Sequence, residues 1–123
     1  MALRGVRGAT TVNQDESQEI LAATRDLLAA ILDANPTLQL GDLASVFFTL
    51  TADLSSVYPA QAARQIGWAE VPLMCACEVS VPGSLPRCIR VMLHWNTDLA
   101  QSSMHHVYLG AAIRLRPDLA RTT

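Results

Sequence analysis

The sequence predicts one small α/β (α+β) domain, a mixed β-sheet carrying one long and one short helix. Three observations lead there. The chain has 123 residues, 50% of them apolar and 16% charged, which is enough for one core and too few for two. One extended stretch repeats its apolar residues at helical spacing, while several shorter stretches read as strands. Their order is strand, helix, strand, helix, strand, strand, strand, which implies a mixed sheet.

Leu3 to Val12 reads as the first strand. Alternation sets Leu3, Gly5, Arg7 and Ala9 on one face and Arg4, Val6 and Gly8 on the other. Two glycines weaken a strand, so they mark a bend or a close approach. Asn13, with Glu16 three residues later, predicts a helix start of the capping-box kind. Ile20, Thr24, Leu27, Leu28 and Ile31 then recur with the helical period, giving a long amphipathic helix that stops before Asn35-Pro36. Asp42 to Thr51 contains Leu43, Val46, Phe47, Phe48 and Leu50, the near-continuous apolar run of a buried strand. Pro59 and Gly67 bracket a short helix, with proline in its first turn and glycine just past its end. Val71 to Glu78 is a third strand, Pro82-Gly83 and Pro86 mark a turn, and Cys88 to Trp95 is a fourth strand. His106 to Leu109 supplies a short fifth, and residues from about 117 to 123 read as a polar, flexible tail. No repeat, low-complexity tract or linker divides residues 1–123, so the chain reads as one unit.

Composition narrows the function. The net charge is −2 without any basic run, whereas nucleic-acid binding needs clustered cations. No stretch after Met1 resembles a signal peptide and none approaches membrane-spanning length. Three cysteines cannot all pair, so a reducing, cytoplasmic location is expected. The apolar share is high for so short a chain, which hints at self-association. All 9 basic residues are arginine. Either the source genome is biased, or the rigid guanidinium fork is used on carboxylates.

In Cys88 to Trp95, alternation gives a core face of Ile89, Val91, Leu93 and Trp95. Cys88, Arg90, Met92 and His94 share the other face. A mid-strand arginine is costly to bury without an anionic partner. That partner is either Glu78 on a neighbouring strand or a ligand. Cys75, Cys77, His105 and His106 could in principle ligate zinc, but C-x-C lacks the usual spacing and no second cysteine pair follows, so no metal or cofactor is expected. A Cys–His nucleophile is an equally weak reading, since any chain with three histidines offers one. Gly5 and Gly8 do not make a phosphate loop. Tyr108 shares a face with His106, and Arg64 shares a side of the short helix with Ala60. By spacing alone, both suit an ordinary half-exposed surface.

As a set, these residues are similar to a known family. Arg4-Gly5-Val6-Arg7-Gly8-Ala9-Thr10-Thr11-Val12 resembles the opening of the monofunctional chorismate mutases of the trimeric pseudo-α/β-barrel type. So do Tyr58-Pro59-Ala60 with Arg64, Cys75 with Glu78, Cys88-Ile89-Arg90-Val91, His106-Val107-Tyr108-Leu109 and Leu115-Arg116-Pro117-Asp118-Leu119. The likeness runs in order along nearly the whole chain. It implies a homotrimer with a cleft at each subunit boundary. One subunit would supply Arg7, the stretch Leu73, Met74, Cys75, Ala76, Cys77 and Glu78, then Arg90, Tyr108 and Leu115. The adjacent subunit would supply Tyr58, Ala60 and Arg64, with Arg116 near the mouth. The sequence departs from the family where Tyr58 replaces a common phenylalanine, Gln61 a frequent lysine, and Met74 a smaller polar residue.

The implied reaction is the intramolecular rearrangement of the chorismate dianion to prephenate, a step of aromatic amino-acid biosynthesis. It needs no covalent intermediate, only a compact conformer and positive charge at the breaking ether bond. By resemblance, Arg90 serves the ether oxygen and a carboxylate, and Arg7 and Tyr108 grip a carboxylate. Glu78 would accept from the substrate hydroxyl, Cys75 would line the same wall, and Arg64 and Arg116 would steer the dianion inward. A trimeric binding module for an anionic metabolite is the main competing reading. A small trimeric imine-hydrolysing deaminase is another, though that family lacks the R-G-x-R-G-A-T-T opening.

Overall fold

The computed structural model describes residues 1–116, so the expected tail from 117 onward lies outside the described residues. Five strands, β1 (Ala2–Thr11), β2 (Leu43–Leu50), β3 (Leu73–Cys77), β4 (Cys88–Thr97) and β5 (Val107–Tyr108), make one sheet in the order β3-β2-β4-β1-β5. β4 runs antiparallel to both β1 and β2, while β3 pairs parallel to β2 and β5 parallel to β1. The sheet is therefore mixed, as expected. The long helix α1 (Ser17–Ala34) and the short helix α2 (Ala60–Gln65) are also where the sequence puts them. Three 3-10 turns, at Leu40–Asp42, Gln101–Ser103 and Gly110–Leu115, have no strong sequence signal.

The core lies between the sheet and the helices. Val6, Val46, Phe48, Val91, Leu93 and Trp95 meet Leu27, Leu28 and Ile31 of α1. The periodic residues Ile20, Thr24, Leu27, Leu28 and Ile31 are all buried. Gly8 lets α1 lie close: a Cβ there would stand 2.7 Å from Ile31 Cδ1 and 3.1 Å from Val91 Cγ1. One glycine of the opening motif is thus explained by packing.

Two expectations need correction. The α1 cap is Glu16, whose carboxylate accepts from Gln18 N and Glu19 N, while Asn13 only gives its backbone N–H to Glu19. A carboxylate directly before the helix satisfies two of its unpaired N–H groups and opposes the positive end of its dipole. Asn13 lies too far upstream for that. The second correction concerns β2, which is buried on one face only. Val46 and Phe48 are in the core, whereas Phe47 is 40% exposed. The Phe-Phe doublet resembles two-sided burial but straddles the pleat.

The face of the sheet turned away from the helices carries Arg7, Phe47, Thr49, Met74, Arg90 and Met92, as cross-strand register requires. Met74 there is 61% exposed. Among the described residues, no helix is long and apolar enough to cross a membrane.

Candidate active site

Register is what builds the site. Arg7 lies opposite Met92, and Ala9 and Thr49 both lie opposite Arg90, on β1, β2 and the central β4. β5 adds Tyr108 by pairing beside Ala9. Just past β3, Glu78 is hung from β2 by its N–H on Leu50 O at 2.8 Å. Arg7, Thr49, Glu78, Arg90 and Tyr108, together with Phe47, Met92, Leu115 and Arg116, line a cavity of about 310 Å³, near the lower end of small-molecule sites, which run from about 300 to 1,000 Å³.

Arg90 Nε pairs with Glu78 Oε1 at 3.0 Å. The sequence left open whether Arg90 answers Glu78 or a ligand. The structure has the ion pair, and both partners stand on the cavity wall, so the two readings are compatible. The pair engages Nε, and the guanidinium carries further N–H donors on its two terminal nitrogens. Three arginines and one carboxylate line this cavity in a chain whose net charge is −2. It is a local positive focus suited to a dianion.

The supports of these side chains are specific. Arg7 N donates to His106 Nδ1 at 2.9 Å, so the imidazole accepts at that nitrogen and is neutral there. Burial first, and the charges of Arg7 and Arg116 second, hold the His106 pKa below its ordinary value. Asn35, 3% exposed, accepts from His105 N at 3.0 Å and donates to His105 O at 2.9 Å, which fixes the approach to β5. Cys88 is buried beside Ala9, Tyr108 and Ala112. Burial pushes its thiol pKa up, partly offset by the nearby Arg90 charge.

Other expected site residues lie apart from this cavity. Tyr58, Cys75, Ala76 and Cys77 line a second one, of about 680 Å³, with Leu54, Val57 and Gln61. Cys75 pairs with Phe48 and so faces the helix side of the sheet, where Leu73 also packs. Met74 is on the open face beside Phe47. Ala60 is buried, and Arg64 is exposed on α2. Phe47, Thr49 and Met92 line the arginine-rich cavity although the sequence did not single them out. Strict period-two reading of β2 from Val46 would have placed Phe47 and Thr49 with Arg90.

The sequence matches the family described as chorismate mutase type I over residues 3–119. A chorismate mutase AroH from Thermus thermophilus is 56% identical over 117 residues, covering 95% of this chain and 96% of the relative. Another chorismate mutase AroH, from Bacillus subtilis (strain 168), is 45% identical over 123 residues, covering 99% and 96%. A solved chorismate mutase from Clostridium thermocellum superposes with a TM-score of 0.85 at 47% identity, covering 88% of this chain and 96% of that one.

Proposed function

The chain belongs to the type I chorismate mutases, and from that premise we propose how its cavity converts chorismate to prephenate. The observation that carries the reading is the gathering of Arg7, Arg90 and Arg116 with Glu78 and Tyr108 around one pocket. Chorismate holds two carboxylates, and its rearrangement is concerted within one molecule. The catalyst therefore has two tasks.

The first is to hold the compact conformer. Arg7 and Tyr108 grip a carboxylate, Glu78 accepts from the ring hydroxyl, and Leu115 and the apolar wall limit the remaining freedom. Restricting rotation in this way lowers the barrier before any bond changes. The second is electrostatic. As the ether C–O bond breaks, negative charge grows on its oxygen, and the Arg90 guanidinium is already in place to meet it. Glu78 fixes Arg90 through Nε, so the charge need not reorganise at the moment of reaction.

The cleft is completed by a neighbouring copy in a homotrimer resembling a pseudo-α/β barrel, with the exposed Tyr58 and Arg64 presented to the next subunit and Ala60, packed in the core, holding the short helix that carries Arg64. The uncovered sheet face supports this, since Phe47 and Met74 remain exposed in the single chain and call for a cover. In this assembly Met74 and Ala76, which share the open face with Phe47 and Thr49 by register, form the wall at the boundary, while Leu73, Cys75 and Cys77 back it from the other side of the strand. The whole chain acts as one chorismate mutase domain. Its compartment is the cytoplasm, a reading supported by three cysteines held as free thiols.

The test is turnover in deuterium oxide. Purified protein should consume chorismate, followed by its ultraviolet absorbance, and yield prephenate without deuterium on carbon. Carbon-bound deuterium in the product would contradict the concerted mechanism, and unconsumed chorismate would contradict the activity.

A further inference from the structure

The inference rests on the role given to Arg90 and concerns what fixes the strand that delivers it. Arg87, immediately before β4, has φ 49°, a left-handed conformation that a residue with a side chain keeps only when its surroundings impose it. Asp53 is the imposing group. Its two carboxylate oxygens accept Arg87 N–H at 3.2 and 2.9 Å, and one also accepts the Thr51 hydroxyl.

Thr51 extends the latch. Its Oγ1 accepts from Cys88 N at 3.0 Å, and its backbone N–H donates to Cys88 O at 3.1 Å. On the other side, Arg87 O accepts from Val12 N at 3.0 Å, and Arg87 Nε donates to Val12 O at 3.3 Å. The ends of β1 and β2 and the start of β4 are thereby tied at Arg87 and Cys88, three and two residues before Arg90. Glu78 hangs from the same end of β2 through Leu50 O. Both members of the Arg90–Glu78 pair are thus referenced to the segment that Asp53 holds.

We propose that Asp53 is a positioning residue for the rearrangement: by holding Arg87 left-handed it sets where β4 presents Arg90 to the cavity. It touches no substrate and acts only through Arg90.

The experiment is a set of kcat and KM measurements on D53A, R87G, D53A/R87G, R90Q and D53A/R90Q. A displaced guanidinium should lower kcat of D53A by about tenfold to a hundredfold, with a smaller rise in KM, because the ether contact is made in the transition state while the carboxylate is also held by Arg7 and Tyr108. R87G should stay within about twofold of wild type and should restore most of the activity of D53A, since glycine adopts this conformation unaided. In the R90Q background, D53A should change kcat by less than about twofold, because coupled residues do not add. Activity of D53A within twofold of wild type, or an equal loss in both backgrounds, would overturn the proposal. If D53A does not fold, D53N and D53N/R87G take its place. Failure of R87G to rescue either pair would show that Asp53 serves bulk stability, and the proposal falls. R90Q itself separates the two levels: if it is within tenfold of wild type, the reading of Arg90 fails, whereas a crippled R90Q with uncoupled D53A overturns only the latch.

Discussion

Arg90 illustrates how one side chain is ordered before it is used. The sequence suggests a costly buried charge, but the Arg90 side chain is 51% exposed on the open face of the sheet, so its pairing with Glu78 at 3.0 Å orders the guanidinium more than it offsets a desolvation cost. In the proposed mechanism a dianionic substrate would meet an arrangement already ordered. Two residues away, Cys88 is 1% exposed and its thiol pKa is raised by burial. The reactive thiolate is thus suppressed, and alkylation at mildly alkaline pH should leave Cys88 unmodified in native protein yet label it in denaturant, as read by peptide mass. Labelling of native Cys88 as fast as of the unfolded chain would contradict this packing. His106 gives a pH prediction. Its folded-state pKa is lowered, so the unfolded chain takes up the proton first. Stability is full above about pH 6.5 and declines as pH falls from there to the folded value. The variant His106→Asn, which retains an acceptor for Arg7 N, should flatten that decline in thermal melts. An identical acid slope in both proteins would show that another group governs it.

At the scale of elements, the tight seating of α1 on β1 depends on Gly8. A methyl group there meets Ile31 Cδ1 at 2.7 Å and Val91 Cγ1 at 3.1 Å, so Gly8→Ala should destabilise by about 1–3 kcal/mol through overpacking. Urea unfolding would show a lower midpoint at unchanged slope, and an unaltered midpoint would contradict the close approach. Elements with one periodicity were the readable ones. Ile20 to Ile31 repeat as a helix and Ile89 to Trp95 alternate as a strand, so their buried faces followed directly. Phe47 and Thr49 escaped because a Phe-Phe doublet masks alternation. The cap moved from Asn13 to Glu16 because side-chain reach, rather than residue type alone, decides which carboxylate or amide meets the helix N–H groups. Local pattern also gives no hint of the left-handed Arg87, whose conformation is imposed by Asp53 from another part of the chain.

At the scale of the whole molecule, the site is a product of topology. The parallel pairing of β5 with β1 brings Tyr108 beside Ala9, and the antiparallel registers around β4 align Arg7 and Thr49 with the Arg90 face. No local sequence rule yields those adjacencies, and they became readable only through the resemblance of the ordered motifs. The same topology leaves a sheet face without a helical cover. If that face is closed by a neighbouring copy, sedimentation across a dilution series should show activity disappearing with the trimer, while circular dichroism remains folded. Active monomers would contradict the shared cleft. The central claim is that a guanidinium fixed beforehand meets the charge developing on the ether oxygen, and kcat of Arg90→Gln on chorismate tests it most directly. Loss of this preorganised charge should cost at least about 10²–10³ in turnover in a variant that still folds and assembles; a folded Arg90→Gln protein turning over within tenfold of wild type would contradict it.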